Sequence, residues 1–589
     1  LPPPAPRLAE PAVTFADFVG AEACRECHAE QYAAWAGSTH GNAGGAPSDV
    51  RLIAPFDGTP LRFADATVTP RTTAKGKPFF TVAHEGGRSE RIDVAAVVGG
   101  GHMLGGGTQS FFARFPDGTL RFLPFDFIRG EGVWFAQRRD DLSWQPIDAT
   151  LALADLANWP PSRILGNAPF ANCDVCHGSQ IQVLPADGER AVTRFKSLAI
   201  NCESCHGPGR RHVEWARSPE RDASDDDSMA TLDTLAKDAS LRVCFQCHAS
   251  RPVLDPDYLP GRSFEEHFAL KYLLLEDDPY FPDGRIATFS YQDNHQFSDC
   301  YVSGSMTCVD CHDPHSQRYR DVTGRALAGR FDDGQCTGCH ASKAQRSELH
   351  THHPDGSPGD ACTACHMPFL QEPTVGRKLR FARSDHTIAI PRPAFDASLP
   401  IDGACRQCHP GTSVAELQAR TEAWWGPLKP HPPAVAAVLA AKDVADVAGA
   451  APLLLRPGER HVIGQFGALA RFARRFLSPD RVPEEDVLAR LEALAASDDP
   501  DVSSLALASL HYAAGEDGDV RALLARTLAD AGTRDRALRL RWGAALRTLA
   551  RAREAAGDAR GASVTRRKLQ EVLPAGVQSR LWSGRAHLK

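Results

Sequence analysis

Cysteine is almost missing from this 589-residue chain outside one repeated pattern. Of seventeen cysteines, sixteen form pairs with two residues between them, and only Cys300 stands alone. None occurs after Cys408. Such a distribution excludes an ordinary disulfide framework. No run of eighteen uninterrupted apolar residues occurs, so a membrane-spanning helix is excluded. A basic excess is also lacking. Lys and Arg number 66 against 73 Asp and Glu, for a net charge of −7, where a nucleic-acid binder usually carries a basic domain or face. Methionine is scarce, with four residues. What remains is 42% hydrophobic, which suits a folded chain of two to four domains.

Every cysteine pair is followed directly by histidine. The eight motifs are Cys24, Cys27, His28; Cys173, Cys176, His177; Cys202, Cys205, His206; Cys244, Cys247, His248; Cys308, Cys311, His312; Cys336, Cys339, His340; Cys362, Cys365, His366; and Cys405, Cys408, His409. CxxCH is the attachment signature of c-type haem. Two thiols bond the vinyl groups of one porphyrin, and the adjacent histidine binds its iron. Zinc would not require histidine after every pair. The reading is therefore eight covalently bound haem c groups. Covalent attachment takes place outside the bacterial cytoplasm, which implies a periplasmic or extracellular protein. Leu1 replaces an initiator methionine and Leu1–Pro11 is proline-rich, as in a mature chain whose signal peptide has been removed.

Each iron needs a sixth ligand or an open position, and that choice separates a carrier from a catalyst. Of 23 histidines, fifteen lie outside the motifs. His40 follows the first motif by about three helical turns if that segment is helical. His212 lies in CHGPGRRH, and His315 lies in CHDPH, too close to serve the far face of its own haem. His102 sits in the glycine-rich GGGHMLGGG, and His386 in SDHTIAIPRP. His267, His295 and one of His350, His352 and His353 complete eight candidates for eight irons, with His431 in reserve. His84, His461, His511 and His587 read as ordinary residues. Met306 and Met367 flank motifs, as ligands or as soft packing against porphyrin edges.

Four regions are expected. Residues 1–45 hold haem 1. Residues 46–150 read as a small antiparallel β insertion, because runs such as FFTVA and SFFARF are separated by DG or GG turns. Residues 151–430 carry haems 2–8 in irregular Gly/Pro-rich sequence, where porphyrins rather than side chains would supply the buried apolar surface. Residues 431–589 show helical periodicity, with hairpins of about 30–40 residues suggesting a tetratricopeptide- or HEAT-like repeat.

The stretches FVGAEACRECHAEQYAAWAGSTH, CESCHGPGRRHV, MTCVDCHDPH, HTHHPDGSPGDACTACHMP, and DHTIAIPRP followed by CRQCH resemble those of multihaem c-type cytochromes with a C-terminal helical-repeat region. The resemblance covers most of 18–45 and 170–410. It implies a mainly α and irregular haem-packed fold with a β insertion, electron transfer as the role, and bis-histidine ligation that supports His40, His102, His212, His315 and His386. Pentahaem nitrite reductases and octahaem tetrathionate reductases use a CxxCK motif, which does not occur here. The expected function is a relay between donor and acceptor redox proteins, extending to end-to-end assembly with further copies. The alternative is an oxidoreductase acting on a small nitrogen or sulfur compound at one open haem near Cys300 and Tyr301. Cys300 itself has four readings: an inert thiol, a covalent partner of tyrosine or another group, an axial thiolate, or an interchain disulfide. A third reading makes the helical region the scaffold of a respiratory assembly.

Overall fold

The computed structural model describes residues 1–3, 13–47, 52–99, 107–165, 178–185, 191–220, 222, 229–233, 235–249, 252–255, 258–275, 281–285, 292–375 and 379–573. His102, the second motif (Cys173, Cys176, His177) and His587 lie outside these residues.

The DG and GG turns close strands as their chemistry demands. Gly58, Gly86 and Gly118 have φ of 89°, 97° and 86°, a region that favours glycine. A four-stranded antiparallel sheet runs Leu61–Arg62, Ala66–Thr72, Pro78–His84, Ser89–Asp93. Alternate residues point inward, so Val68, Phe80 and Val82 are fully buried. A second sheet of nine strands starts at Gly44–Gly45 and runs through Thr108–Arg114 and Val133–Gln137 to Trp144–Pro146. Between the sheets, Phe56, Phe80, Phe111, Phe125 and Trp134 pack with ring centroids 5.1–5.9 Å apart. Each such pair contributes about 0.5–1.5 kcal/mol beyond its area.

The larger sheet does not stop at 150. Trp144 pairs in parallel with Val375, and the hairpin Phe369–Val375 and Leu379–Ser384 completes it. This hairpin leaves the seventh motif and ends two residues before His386, so the β region positions a candidate ligand that lies far from it in sequence.

Between residues 298 and 434 the side-chain core vanishes. None of the six buried apolar clusters draws a fully buried member from that interval, among the described residues. Most of its helices are short, such as Gly334–Thr337 and Cys362–His366. A segment of this length needs buried apolar surface to offset its ordering entropy, and a macrocycle is the surface available.

The C-terminal region builds its own core. Helices Val462–Arg475, Pro500–Ala514 and Asp535–Ala555 lie side by side. Helices Glu485–Ala495 and Ala559–Val572 fold back on the second and third. Pro500–Ala514 is buried almost all round, as suits a helix that carries apolar residues on every face. Asp499 and Asp517 cap their helices by accepting backbone N–H groups. Buried polar bonds join this region to the haem region. The Arg541 guanidinium meets Asp501 at 2.7 Å and donates to the Phe268 carbonyl at 2.8 Å, while Lys271 meets Asp499 at 2.8 Å.

These buried groups set two expectations for stability. Arg541→Ala removes the guanidinium from the buried Asp501 carboxylate, which keeps only Lys271, and is expected to cost about 3 kcal/mol, read as a lower denaturation midpoint. His511 is 1% exposed, and burial, then Lys568, Arg521 and the terminal amine, lower its pKa from 6.5 to about 3. Between those values the unfolded chain binds a proton that the folded chain refuses, so stability falls as pH drops through 6.5. The expected loss by pH 5 is about 2 kcal/mol. His511→Gln flattens that slope in thermal unfolding followed against pH.

Candidate haem-binding centre

Each described motif makes about one helical turn, which is what brings its thiols and imidazole to one side. The amide of the motif histidine donates to the carbonyl of the first cysteine in His28 (2.9 Å), His206 (3.0 Å), His312 (2.9 Å), His340 (3.0 Å) and His409 (2.8 Å). The motifs ending at His248 and His366 lie within the helices Lys237–His248 and Cys362–His366. Residues four apart share a helix face.

Four motif histidines stand opposite a histidine from elsewhere in the chain. Ring centroids are 6.2 Å apart for His28 and His212, 6.0 Å for His40 and His248, 6.1 Å for His350 and His366, and 6.1 Å for His353 and His409. A metal–imidazole bond is about 2 Å, and the ring centre lies about 1 Å beyond its nitrogen, so two rings on one iron are spaced about 6 Å. Contacting aromatic rings range over about 4.5–7 Å. These four spacings nearly coincide, and every one joins a motif histidine to a non-motif histidine. Two further histidines lie within electrostatic reach of a motif partner: His315 of His206, and His386 of His312.

The second nitrogen of several rings is already engaged. Nδ1 donates to a backbone carbonyl in His206 (Ala230, 3.0 Å), His353 (Thr351, 2.7 Å), His366 (Ala389, 3.1 Å) and His386 (Ser384, 2.9 Å). That bond fixes the tautomer and leaves Nε2 for a metal. Burial lowers the pKa of His206, His312 and His366, and lowers that of His386 to about 4. The imidazoles are therefore neutral at pH 7, with a lone pair available.

Other histidines are placed differently. His295 is buried with Nε2 on the Met306 carbonyl at 3.0 Å and Nδ1 near the Ser298 hydroxyl at 3.3 Å, so both nitrogens are occupied. His267 donates from Nδ1 to the Asp255 carbonyl at 3.1 Å, and its ring meets Tyr258 edge-on at 5.4 Å. His352 stacks flat on Trp424 at 4.6 Å, and His431 packs against Phe395 at 4.9 Å. Tyr301 donates its hydroxyl to Asp238 at 2.9 Å. Cys300 is partly buried, which raises its pKa, and lies within electrostatic reach of Cys336 and Cys339 as well as Cys311.

The motifs also touch one another. Side-chain contacts link Cys24 to Cys202, Cys244 to Cys308 and Cys336 to Cys362. Electrostatic coupling links Cys205 to Cys244, Cys311 to Cys336 and Cys365 to Cys405. The seven described motifs thus form an unbroken series. Five large apolar side chains are unusually exposed along its later part: Val322, Phe331, Leu349, Trp424 and Trp425, at 38–59%. Flat macrocycles would cover such groups. The matched gaps between facing rings, the neutral imidazoles and the uncovered apolar walls all fit haem.

Two supports are invisible in a motif scan. Glu203, inside CESCH, is 1% exposed and accepts from the amides of Val19, Gly20 and Gly209 at 2.8 Å, binding the first motif's segment to the third. Arg285, also buried, bridges Asp283 at 2.7 Å and Asp396 at 2.8 Å. Only their occurrence as charged residues in apolar surroundings hints at these roles.

If His212 faces the iron above His28, His212→Ala is expected to keep the full haem content by mass. One more haem should then turn high-spin in the electron paramagnetic resonance spectrum than in the parent protein.

No protein-family model matches the chain. The dissimilatory sulfite reductase MccA of Wolinella succinogenes is 22% identical over 404 residues, which is 60% of this chain and 51% of the relative. The chain's match thus spans about half the length of that relative. The crystal structure of the outer cell wall cytochrome OcwA aligns with a TM-score of 0.44 and 15% identity, over 94% of this chain and all of that one. No helix among the described residues is long and apolar enough to cross a membrane. The attachment motifs and the imidazoles paired across them make this a multihaem protein that carries covalently bound haem c.

Proposed function

We propose that the chain is an exported octahaem cytochrome that relays single electrons between redox partner proteins. The observation that carries this reading is the unbroken series of neighbouring attachment sites, ordered 1–3–4–5–6–7–8 along the contacts between their cysteines. Bound haem supplies a one-electron change at iron with little rearrangement when both axial ligands are histidine. The chain's own part is to hold these sites close and to align His206, His353, His366 and His386 through Nδ1.

The two ends of the series are open to solvent. Cys27 and His28 are exposed at one end, and Cys408 and His409 at the other. Donor and acceptor proteins would meet the relay at such ends. The exported location rests on the chemistry of attachment. Self-assembly into longer chains of subunits, and use of the repeat-like helical region as a scaffold, extend the same reading.

Mass spectrometry of the denatured protein is expected to show the polypeptide plus eight haems. Redox titration should then show reversible transitions for all of them, and a reductant supplied to the intact protein should reduce an external cytochrome. A polypeptide without added mass, or haems that cannot exchange electrons with one another, overturns the proposal.

A further inference from the structure

Glu203 is a buried charge held without a counter-charge. It stands second in the third motif, between Cys202 and Ser204, and is 1% exposed. Its two oxygens share three backbone donors at 2.8 Å. Oε1 accepts from Val19 and Gly209, and Oε2 accepts from Gly20. An ionised carboxylate suits that set, because both of its oxygens accept. A glutamine would turn a donating amide toward one of the donors. Among the described residues, no Lys, Arg or His side chain pairs with Glu203. Asp396, Asp501 and Asp535, which are also buried, each meet a guanidinium.

The carboxylate lies at the joint between two attachment sites. Cys24 of the first motif and Cys202 of the third are in side-chain contact, and the charge of Glu203 reaches both thiols. Val19 and Gly20 lead into the first motif, and Gly209 follows the third. Away from water a charge is weakly screened and acts over about 10 Å. Ferric haem carries one more positive charge than ferrous haem. A fixed negative charge beside it stabilises the ferric form and opposes one-electron reduction.

We propose that Glu203 is an electrostatic tuning residue, which holds the haems of the first and third sites at lower potentials than those sites would have without it. The inference rests on the haem loading and relay proposed above, and gives that relay a bias. One electron leaves ferrous iron at the third site and reduces ferric iron at the fourth, and the carboxylate makes that step more favourable. Electrons are thereby driven from the first end of the series toward the rest.

Two variants of the full-length, haem-loaded protein test this. Glu203→Gln removes the charge and keeps the shape. Met229→Lys keeps Glu203 with its three bonds and sets an ammonium near it. Met229 Cε and Glu203 Oε1 both lie within 4 Å of the place a Cβ on Gly209 would take, and Met229 is only half-buried. Charges of opposite sign at one place act equally and oppositely, so the lysine reads the same field from the other side. In a spectroelectrochemical titration, each variant is expected to move two haem transitions to higher potential and leave the others in place. The expected change is roughly tenfold in the reduction equilibrium, or about 59 mV for one electron. If Glu203→Gln fails to assemble, Met229→Lys carries the test alone. Titrations that superpose on the parent's overturn the inference and leave the relay standing. A shift in one assembled variant without the other marks altered packing rather than charge, and overturns it too. A parent protein without haem overturns the relay itself.

Discussion

A metal held between two imidazoles imposes one distance, and four pairs of histidine rings in this molecule stand at about that distance. Two bonds of about 2 Å and two half-rings fix a spacing of about 6 Å. His28, His248, His366 and His409 each meet that spacing with a ring brought from a separate segment of the chain. Holding such gaps open without a group between them would leave apolar walls facing water. Trp424 and Trp425, exposed beside the rings of His350, His352 and His353, are walls of that kind.

That constraint explains the contrast between the two halves of the fold. The C-terminal helices have long apolar faces and bury them on each other, so their stability lies in side-chain packing. The interval between 298 and 434 has mostly short helices and no buried cluster of its own among the described residues. Rigid contacts link the two kinds of structure. Arg541, Asp501, Lys271 and Asp499 tie the helical region to the segment before the fifth motif, so it forms a braced side of the haem region. The nine-stranded sheet does the same on another side, because its last hairpin ends beside Asp385 and His386.

The interplay of burial and protonation matters for how ligands are kept ready. A neutral imidazole binds a metal and an imidazolium does not. Burial pushes His206, His312, His366 and His386 toward the neutral form, and a carbonyl on Nδ1 selects the tautomer in three of them. His28, His340 and His409 are exposed instead.

The attachment chemistry was legible in the amino-acid order because it is local: two thiols and an imidazole must share one helical turn, and CxxCH is that requirement written as spacing. The glycine turns of the β region and the helical periodicity after 431 were legible for the same reason. The expected end of the β region at 150 missed the hairpin at 369–384, since a strand's partner is not encoded in its own alternation. Eight distal histidines could be nominated but not matched to irons, and His295 shows why: its placement against Met306 depends on chain segments meeting in space. Which imidazoles stand about 6 Å apart and which thiols touch were decided by tertiary structure alone. Those relations depend on distances between residues remote in the chain, whereas the covalent signature depends only on neighbours.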